Sequence, residues 1–240
     1  MPTTPRTQTR IMTTSETALY RLMTWLSPAY PVGAFSYSHG LEYAVEEGLV
    51  HDRESLIRWL TTAVEAGAGH IGGALLAGAW RAAVENNADR LEEIAALAAV
   101  WRNTSETALE SEAQGAAFLS VTRAAWPHAL LDRLVPERRG GSIALSVAVG
   151  ATCACHGIAL TPALIAYLHG FASNLVSAGI RLIPLGQSDG QLAMAALEPI
   201  IERCARLCAE IPLDEVGSAA PMLDWCSMRH ELQYTRLFRS

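Results

Sequence analysis

TPALIAYLHGFASNLVSAGIRL, residues 161–182, decides the fold. Leu164, Leu168, Phe171, Leu175, Ala178 and Leu182 recur in steps of four and three. That spacing lays them along one stripe of an α-helix, a seam that one helix buries against another. Thr161 before Pro162 reads as a helix start, an N-cap followed by proline at the first helical position.

Immediately upstream the chain is uncharged. No Asp, Glu or Arg occurs from Gly140 to Ile180, a run of 41 residues. A hydropathy window over Ile143–Leu160 would pass for a membrane span. Its apolarity comes mostly from Ala, Gly and Cys, however, and His156 lies inside it. Thr161-Pro162 then ends one helix and starts another. The reading is two buried helices of a large soluble core, packed through small residues, and no membrane segment. Downstream, Met194, Leu197, Ile201, Cys204, Cys208 and Ile211 form the next stripe. Ser188 with Gln191 suggests its capping box, and Pro199 should kink or split it.

The N-terminal half reads the same way. A helix over Glu16–Leu26 is stopped by Ser27-Pro28, and a second begins near Ser36 or Ser38. Asp52 is the N-cap of a third segment carrying Leu56, Leu60, Val64, Ile71 and Leu75. Glycines at 67, 69, 72 and 73 either break it or permit close contact. Asn86-Asn87 ends it, and Leu91, Ile94, Leu97, Ala98 and Trp101 mark the next helix. Asn103 with Glu106 suggests a capping box for a helix reaching about Ala125, and a short helix follows at His128–Leu134. Arg138-Arg139 reads as a solvated turn.

Composition supports this. Half of the 240 residues are apolar and only 18% are charged, which excludes a disordered chain. Alanine occurs 40 times and leucine 30 times, both strong helix formers, and no strand pattern is present. The expected fold is all-α, a single-domain multi-helix bundle of roughly ten helices. Residues 1–15 should be a disordered tail and 16–212 the helical domain. Residues 213–240 lack a continuous stripe. They are expected to bury little of their own surface and to order only on a partner.

A net charge of −6 disfavours nucleic acid as a partner. All 18 basic residues are arginine, which removes the P-loop lysine, the lysine Schiff base and the lysine general base. Five cysteines without a CxxC pair argue against a disulfide framework. The start, MPTTPRTQTRIMTTSE, has no signal-peptide core, so a cytoplasmic location is expected. No HExxH, GxSxG or strand-linked glycine loop occurs, and no catalytic residue or cofactor is expected. Cys153, Cys155 and His156 offer soft donors, but neighbours two apart on a helix point in different directions. They read as core, with a stand-alone metal-binding protein using this trio as the alternative. Cys204 and Cys208 share a helix face and could chelate a metal. They also fit the apolar stripe, so they too read as packing, and no metal site is assigned.

Two segments look unlike core or linker. SPAYPVGAFSYSHGLE, 27–42, is a proline- and glycine-bearing aromatic loop. SMRHELQYTRLFRS, 227–240, alternates arginine with Leu, Tyr and Phe, residue types suited to an interface.

These segments carry a resemblance. LMTWLSPAYPVGAFSYSHGLEYAVEEGLV (22–50), SNLVSAGIRL (173–182), IPLGQSDGQ (183–191) and SMRHELQYTRLFRS (227–240) resemble, in order, signatures of the urease accessory protein UreF family. The resemblance implies an all-α homodimer with a non-enzymatic role. It implies UreD (also called UreH), the GTPase UreG and the urease apoprotein as partners. The assembly would be a GTP-dependent chaperone delivering nickel, with this chain as adaptor and fidelity checkpoint and a tunnel conducting the metal. By motif, Pro31, Gly33, Phe35, Ser36, Gly40, Leu41 and Glu42 would face UreG and the dimer centre. Gln187, Asp189, Gly190 and Gln191 would belong to a tunnel or interface. Arg229, His230, Glu231, Tyr234, Arg236 and Phe238 would contact UreD. Ala34 stands where glycine or serine is usual in the family, and His39 where glutamine is common.

Overall fold

The computed structural model describes residues 15–101, 104–136 and 143–240. Among these it forms helices α1 (Glu16–Trp25), α2 (Leu41–Glu46), α3 (Arg53–Glu65), α4 (Ala68–Val84), α5 (Ala88–Val100) and α6 (Ser105–Ala125). There follow α7 (Ala129–Leu134), α8 (Leu145–Cys155), α9 (Leu160–Leu182), α10 (Gln187–Cys208) and α11 (Pro221–His230), with 3-10 turns at Ala34–Ser36 and Leu213–Glu215. No strand occurs among the described residues, and the expected all-α single domain is what forms.

The uncharged run supplies the centre. It divides into α8 and α9 at a turn where Gly157 takes a φ of 71°. Every residue of α8 from Ser146 to Cys153 is buried. Its closest neighbour is α4, and the two backbones meet at Gly150. A Cβ there would lie 2.4 Å from the Leu76 carbonyl oxygen. Small side chains thus replace bulk with close approach, which recovers dispersion contacts that a looser helix pair would lose. α9 buries Leu164, Leu168, Leu175 and Ala178 of the predicted stripe, whereas Phe171 and Leu182 are half-buried and the adjacent Ala172 is buried in addition. These face α10, α4, α3 and α8. By length and composition α9 could cross a membrane; here its apolar stripe is the inner seam of the bundle.

The helix ends follow some of the local sequence signals and depart from others. Asp52 caps α3 as expected, its Oδ1 accepting from the Ser55 N–H at 2.7 Å. Thr161 and Pro162 lie inside the first turn of α9, with Ala159 as N-cap, where a proline N–H is not needed by the ladder. The cap of α6 is Thr104, whose Oγ1 accepts from the Thr107 N–H at 3.2 Å. Asn103 lies outside the described residues. At α10 the capping carboxylate is Asp189, accepting from the Gly186 N–H at 3.1 Å, in place of Ser188 with Gln191. α10 continues through Pro199 without splitting. The segment from Asp52 to Leu75 is broken at Ala66-Gly67. The second helix starts later than expected. Ser36 ends a 3-10 turn, and α2 begins only after Gly40, whose φ of 75° interrupts any earlier helix. Residues 1–14 and Arg138-Arg139 lie outside the described residues; Ser15 caps α1.

Candidate functional site

The loop from Ser27 to Gly40 is pinned to α6. Tyr30 is buried with its ring 5.5 Å from that of Phe118. The Thr122 hydroxyl gives its hydrogen to the Phe118 carbonyl at 2.7 Å and accepts from Tyr30 Oη at 2.8 Å. Burial pushes the Tyr30 phenol above its ordinary pKa. With the loop anchored there, Gly33 turns it at a φ of 75°. Pro31 and Phe35 are left exposed, Phe35 at 66%.

The expectation that 213–240 buries little against its own core is not met. His230 and Ser240 are wholly buried and Phe238 is 4% exposed. The anchor is Glu42, itself buried on α2. Its carboxylate accepts from the Leu237 N–H at 2.6 Å and the Phe238 N–H at 2.9 Å. It also meets His230 Nε2 at 3.1 Å. His230 Nδ1 lies 2.8 Å from a Glu106 oxygen, and the other Glu106 oxygen accepts from Arg236 Nη1 at 2.6 Å. Hydrogen bonds to a charged group are worth about 1.5–3 kcal/mol each, so a few of them fix a segment that has no helical stripe.

Backbone pairing finishes the clasp. The Ser38 N–H donates to the Ser240 carbonyl at 2.6 Å, and the Arg239 N–H donates to the Ser36 carbonyl at 2.7 Å. The Ser38 hydroxyl also donates to Ser240. Gly40 allows α11 to lie directly on the loop, since a Cβ would sit 2.5 Å from the Ser227 nitrogen. Arg181 of α9 stacks 4.3 Å above the Phe238 ring and donates from Nη2 to the Phe35 carbonyl at 2.9 Å. Glu231 accepts from the Ser105 hydroxyl at 2.6 Å. Arg229 donates to the Tyr43 hydroxyl at 3.4 Å.

Two of the three motif groups therefore form one surface. Leu41, Glu42, Gly40 and Ser36 underlie His230, Arg236 and Phe238, while Pro31, Phe35, Arg229, Glu231 and Tyr234 remain outward. The third group is engaged elsewhere. Asp189 binds Arg53 at 2.9 Å as well as the Gly186 N–H, and Gly190 packs on Ile180 and Val176. Gln187 and Gln191 are exposed at the start of α10.

Beside the loop opens a cleft of about 210 Å³, lined among others by Phe35, His39, Glu110, Gln114, Phe171 and Asn174. His39 has a left-handed backbone at a φ of 53°, and its Nε2 lies 3.0 Å from Glu110. Glu110 also accepts from the Ser240 hydroxyl at 3.1 Å and from the Gln114 amide at 2.8 Å. Next to the clasp, Met222, Trp225, Met228 and Leu232 expose 51%, 43%, 48% and 75% of their surface. Their spacing makes one uncovered apolar face running off α11.

Sequence reasoning gave Glu106 only a capping role and missed Glu110 and Arg181. Two carboxylates one helical turn apart, just inside the cap of α6, were the available signal. Cys153 is fully buried and burial pushes its thiol up to about 12; Cys155 goes to about 11 for the same reason. His156 Nδ1 faces Arg21 Nη1 at 3.0 Å and so accepts from the guanidinium. Among the described residues, the side chains close enough to hold a metal ion together are instead His70, Cys204 and Cys208.

Comparison with known proteins matches the family model "UreF" over residues 50–198. The chain belongs to the UreF family. It is 55% identical to "Urease accessory protein UreF" of Granulibacter bethesdensis over 95% of this chain and 96% of that one. It is 50% identical to the protein of the same name from Rhodopseudomonas palustris strain BisB5, over 93% and 91%. For the Magnetococcus marinus protein the figures are 45%, 94% and 99%. Those three similarities extend over nearly the full length, whereas the UreF model match stops short of both the aromatic loop and the tail.

Proposed function

We propose that this chain is a non-enzymatic adaptor in urease maturation, acting in the cytoplasm as a homodimer. It docks a UreD-type protein on the tail side and a UreG-type GTPase on the loop side. In that complex it modulates the GTPase, so that nickel is inserted into the urease apoprotein in a GTP-dependent step. The relatives' names supply the urease connection. The observation that carries the adaptor reading is the clasp. It joins the loop and the tail into one rigid surface and leaves Pro31, Phe35, Tyr234 and Leu237 turned outward. Exposed aromatic and aliphatic side chains on a fixed backbone suit docking, because little conformational entropy is left to lose. The absence of lysine from the sequence means that GTP hydrolysis by a P-loop in this chain is not part of the proposal.

Tyr234, at 103% exposure, is the cleanest probe. Tyr234→Ala should change the unfolding free energy by no more than an ordinary surface substitution, about ±0.5 kcal/mol, and weaken capture of the UreD-type partner. Phe35→Ala should spare that partner and weaken the GTPase. Co-purification of tagged full-length chain with each partner separates the two sides. Unchanged recovery of both partners by both folded variants would defeat the assignment.

A further inference from the structure

The sequence placed Cys204 and Cys208 in the core as packing residues. The structure adds a third donor that no motif indicated. His70, in the first turn of α4, brings its ring beside the end of α10. Cys204 Sγ and Cys208 Sγ are 3.8 Å apart, and Cys208 Sγ is 3.8 Å from His70 Nδ1. All three donor atoms lie within 4.8 Å of one another. The two thiols are buried and the imidazole is half-buried.

The distances select a geometry. With metal–sulfur bonds of about 2.3 Å, two sulfurs on a tetrahedral ion sit about 3.8 Å apart; cis positions on a square plane would bring them to about 3.3 Å. The observed 3.8 Å, also an ordinary sulfur–sulfur contact without an ion, fits the tetrahedral edge better than the square-planar one. The charge selects an oxidation state. Two thiolates neutralise a divalent ion, so the bound unit adds no net charge to a buried site, whereas a monovalent ion would leave one negative charge there. Nearby Glu65 is already committed to Arg203, at 2.6 Å. Room for the cluster is made by Gly73 on α4, since a Cβ there would lie 2.7 Å from Cys208 Sγ. Without an ion the thiol hydrogens go to the Val64 carbonyl at 3.2 Å and the His70 carbonyl at 3.4 Å.

We propose that His70, Cys204 and Cys208 form a binding site for a tetrahedral divalent ion of the zinc class, clamping α4 to α10. Binding releases the two thiol protons to solvent and leaves His70 neutral, ligating through Nδ1. A fourth position is open to water or an exogenous ligand. The site is independent of the docking surfaces and of the urease reading above.

The test uses the full-length chain, freed of metal under reducing conditions and titrated with Zn²⁺ against a chromophoric chelator. One equivalent should bind per chain. Substitution with Co²⁺ should give thiolate charge-transfer absorption and the intense visible bands of a tetrahedral ion. Cys208→Ser and His70→Ala should each weaken Zn²⁺ binding on the order of 100-fold or more, while Cys155→Ser leaves it unchanged. His70→Ala guards against misfolding, because its ring is only half-buried and alanine suits a helix; its metal-free circular dichroism should match the parent. Zn²⁺ should raise the melting temperature of the parent and not of His70→Ala. Absence of stoichiometric binding in the parent would overturn the site. So would binding that survives both ligand substitutions, or one that is lost in Cys155→Ser instead.

Discussion

The α4–α8 pair and the loop–tail clasp are both buried, and they are held by opposite means. The α4–α8 contact is a close one of small and apolar residues: Gly150 meets the Leu76 carbonyl, and the buried side chains of the two helices are uncharged. In the clasp the contacts are few, polar and point-like, and they converge on the single carboxylate of Glu42. The first contact is spread over many weak dispersion terms and tolerates no added atom. The second rests on a small set of polar side chains, with Glu42 at their centre and Glu106 beside it. Their failure modes should therefore differ, global for one and local for the other.

The largest effect is expected at the helix pair. Gly150→Val inserts three carbons where even a Cβ lies 2.4 Å from a carbonyl oxygen of α4. The backbones must separate, and the loss should exceed the ~1–3 kcal/mol typical of core overpacking. Urea unfolding should show one transition at a much lower midpoint, with the whole chain affected. A near-parental midpoint would mean that α8 can shift on α4, and the contrast between the two regions would fail.

Glu42→Ala comes next. It strands the Leu237 and Phe238 N–H groups and removes one carboxylate from His230, at a cost of about 3–5 kcal/mol for a broken buried ionic network. The expected readout is local. Trypsin should cut after Arg229 and Arg236 while the core helices stay resistant, and the uncovered loop should then lose its partner. If Glu42→Ala instead lowers the urea midpoint without early tail cleavage, the tail belongs to the same cooperative unit as the core.

The smallest effect concerns the C-terminal end of α8, where His156 is the cap residue. His156 is driven from its ordinary 6.5 down to about 4, first by burial and then by Arg21 and His128. The unfolded chain takes up a proton as pH falls through 6.5, whereas the folded chain resists it until about 4. The contribution is thus complete above 6.5 and is lost progressively toward 4. The ring is partly exposed, so solvent screening reduces it to the order of 1 kcal/mol. His156→Asn keeps an acceptor for Arg21 and should flatten that part of the stability–pH profile. A parental profile in the variant would assign the dependence to other groups.

The same contrast explains what the sequence could tell. The stripe from Leu164 to Leu182 and the uncharged run before it were legible because dispersion packing repeats with the helix period, and α8, α9 and α10 follow. The aromatic loop and the tail were singled out by composition and by family resemblance, but their mutual contact was not. A carboxylate that collects backbone N–H groups from 195 and 196 residues away leaves no periodic trace. For that reason Phe238 was expected to be a free anchor and is instead buried in its own chain, while Tyr234 stays outside. The cysteines show the reverse error. Cys204 and Cys208 do fit a stripe, and fitting it hid the His70 ring that reaches them from another helix.

The clasp also imposes an order on assembly. Its hydrogen bonds join residues 36–42 to residues 230–240, so they close a segment of nearly the whole described chain. Long-range closure of this kind is entropically costly until the intervening helices have condensed, and it belongs among the last events of folding. During synthesis the aromatic loop emerges early and waits uncovered while the remainder is translated. A nascent chain therefore displays Glu42 and its neighbours as an unfilled cradle until residues 230–240 are made and fill it.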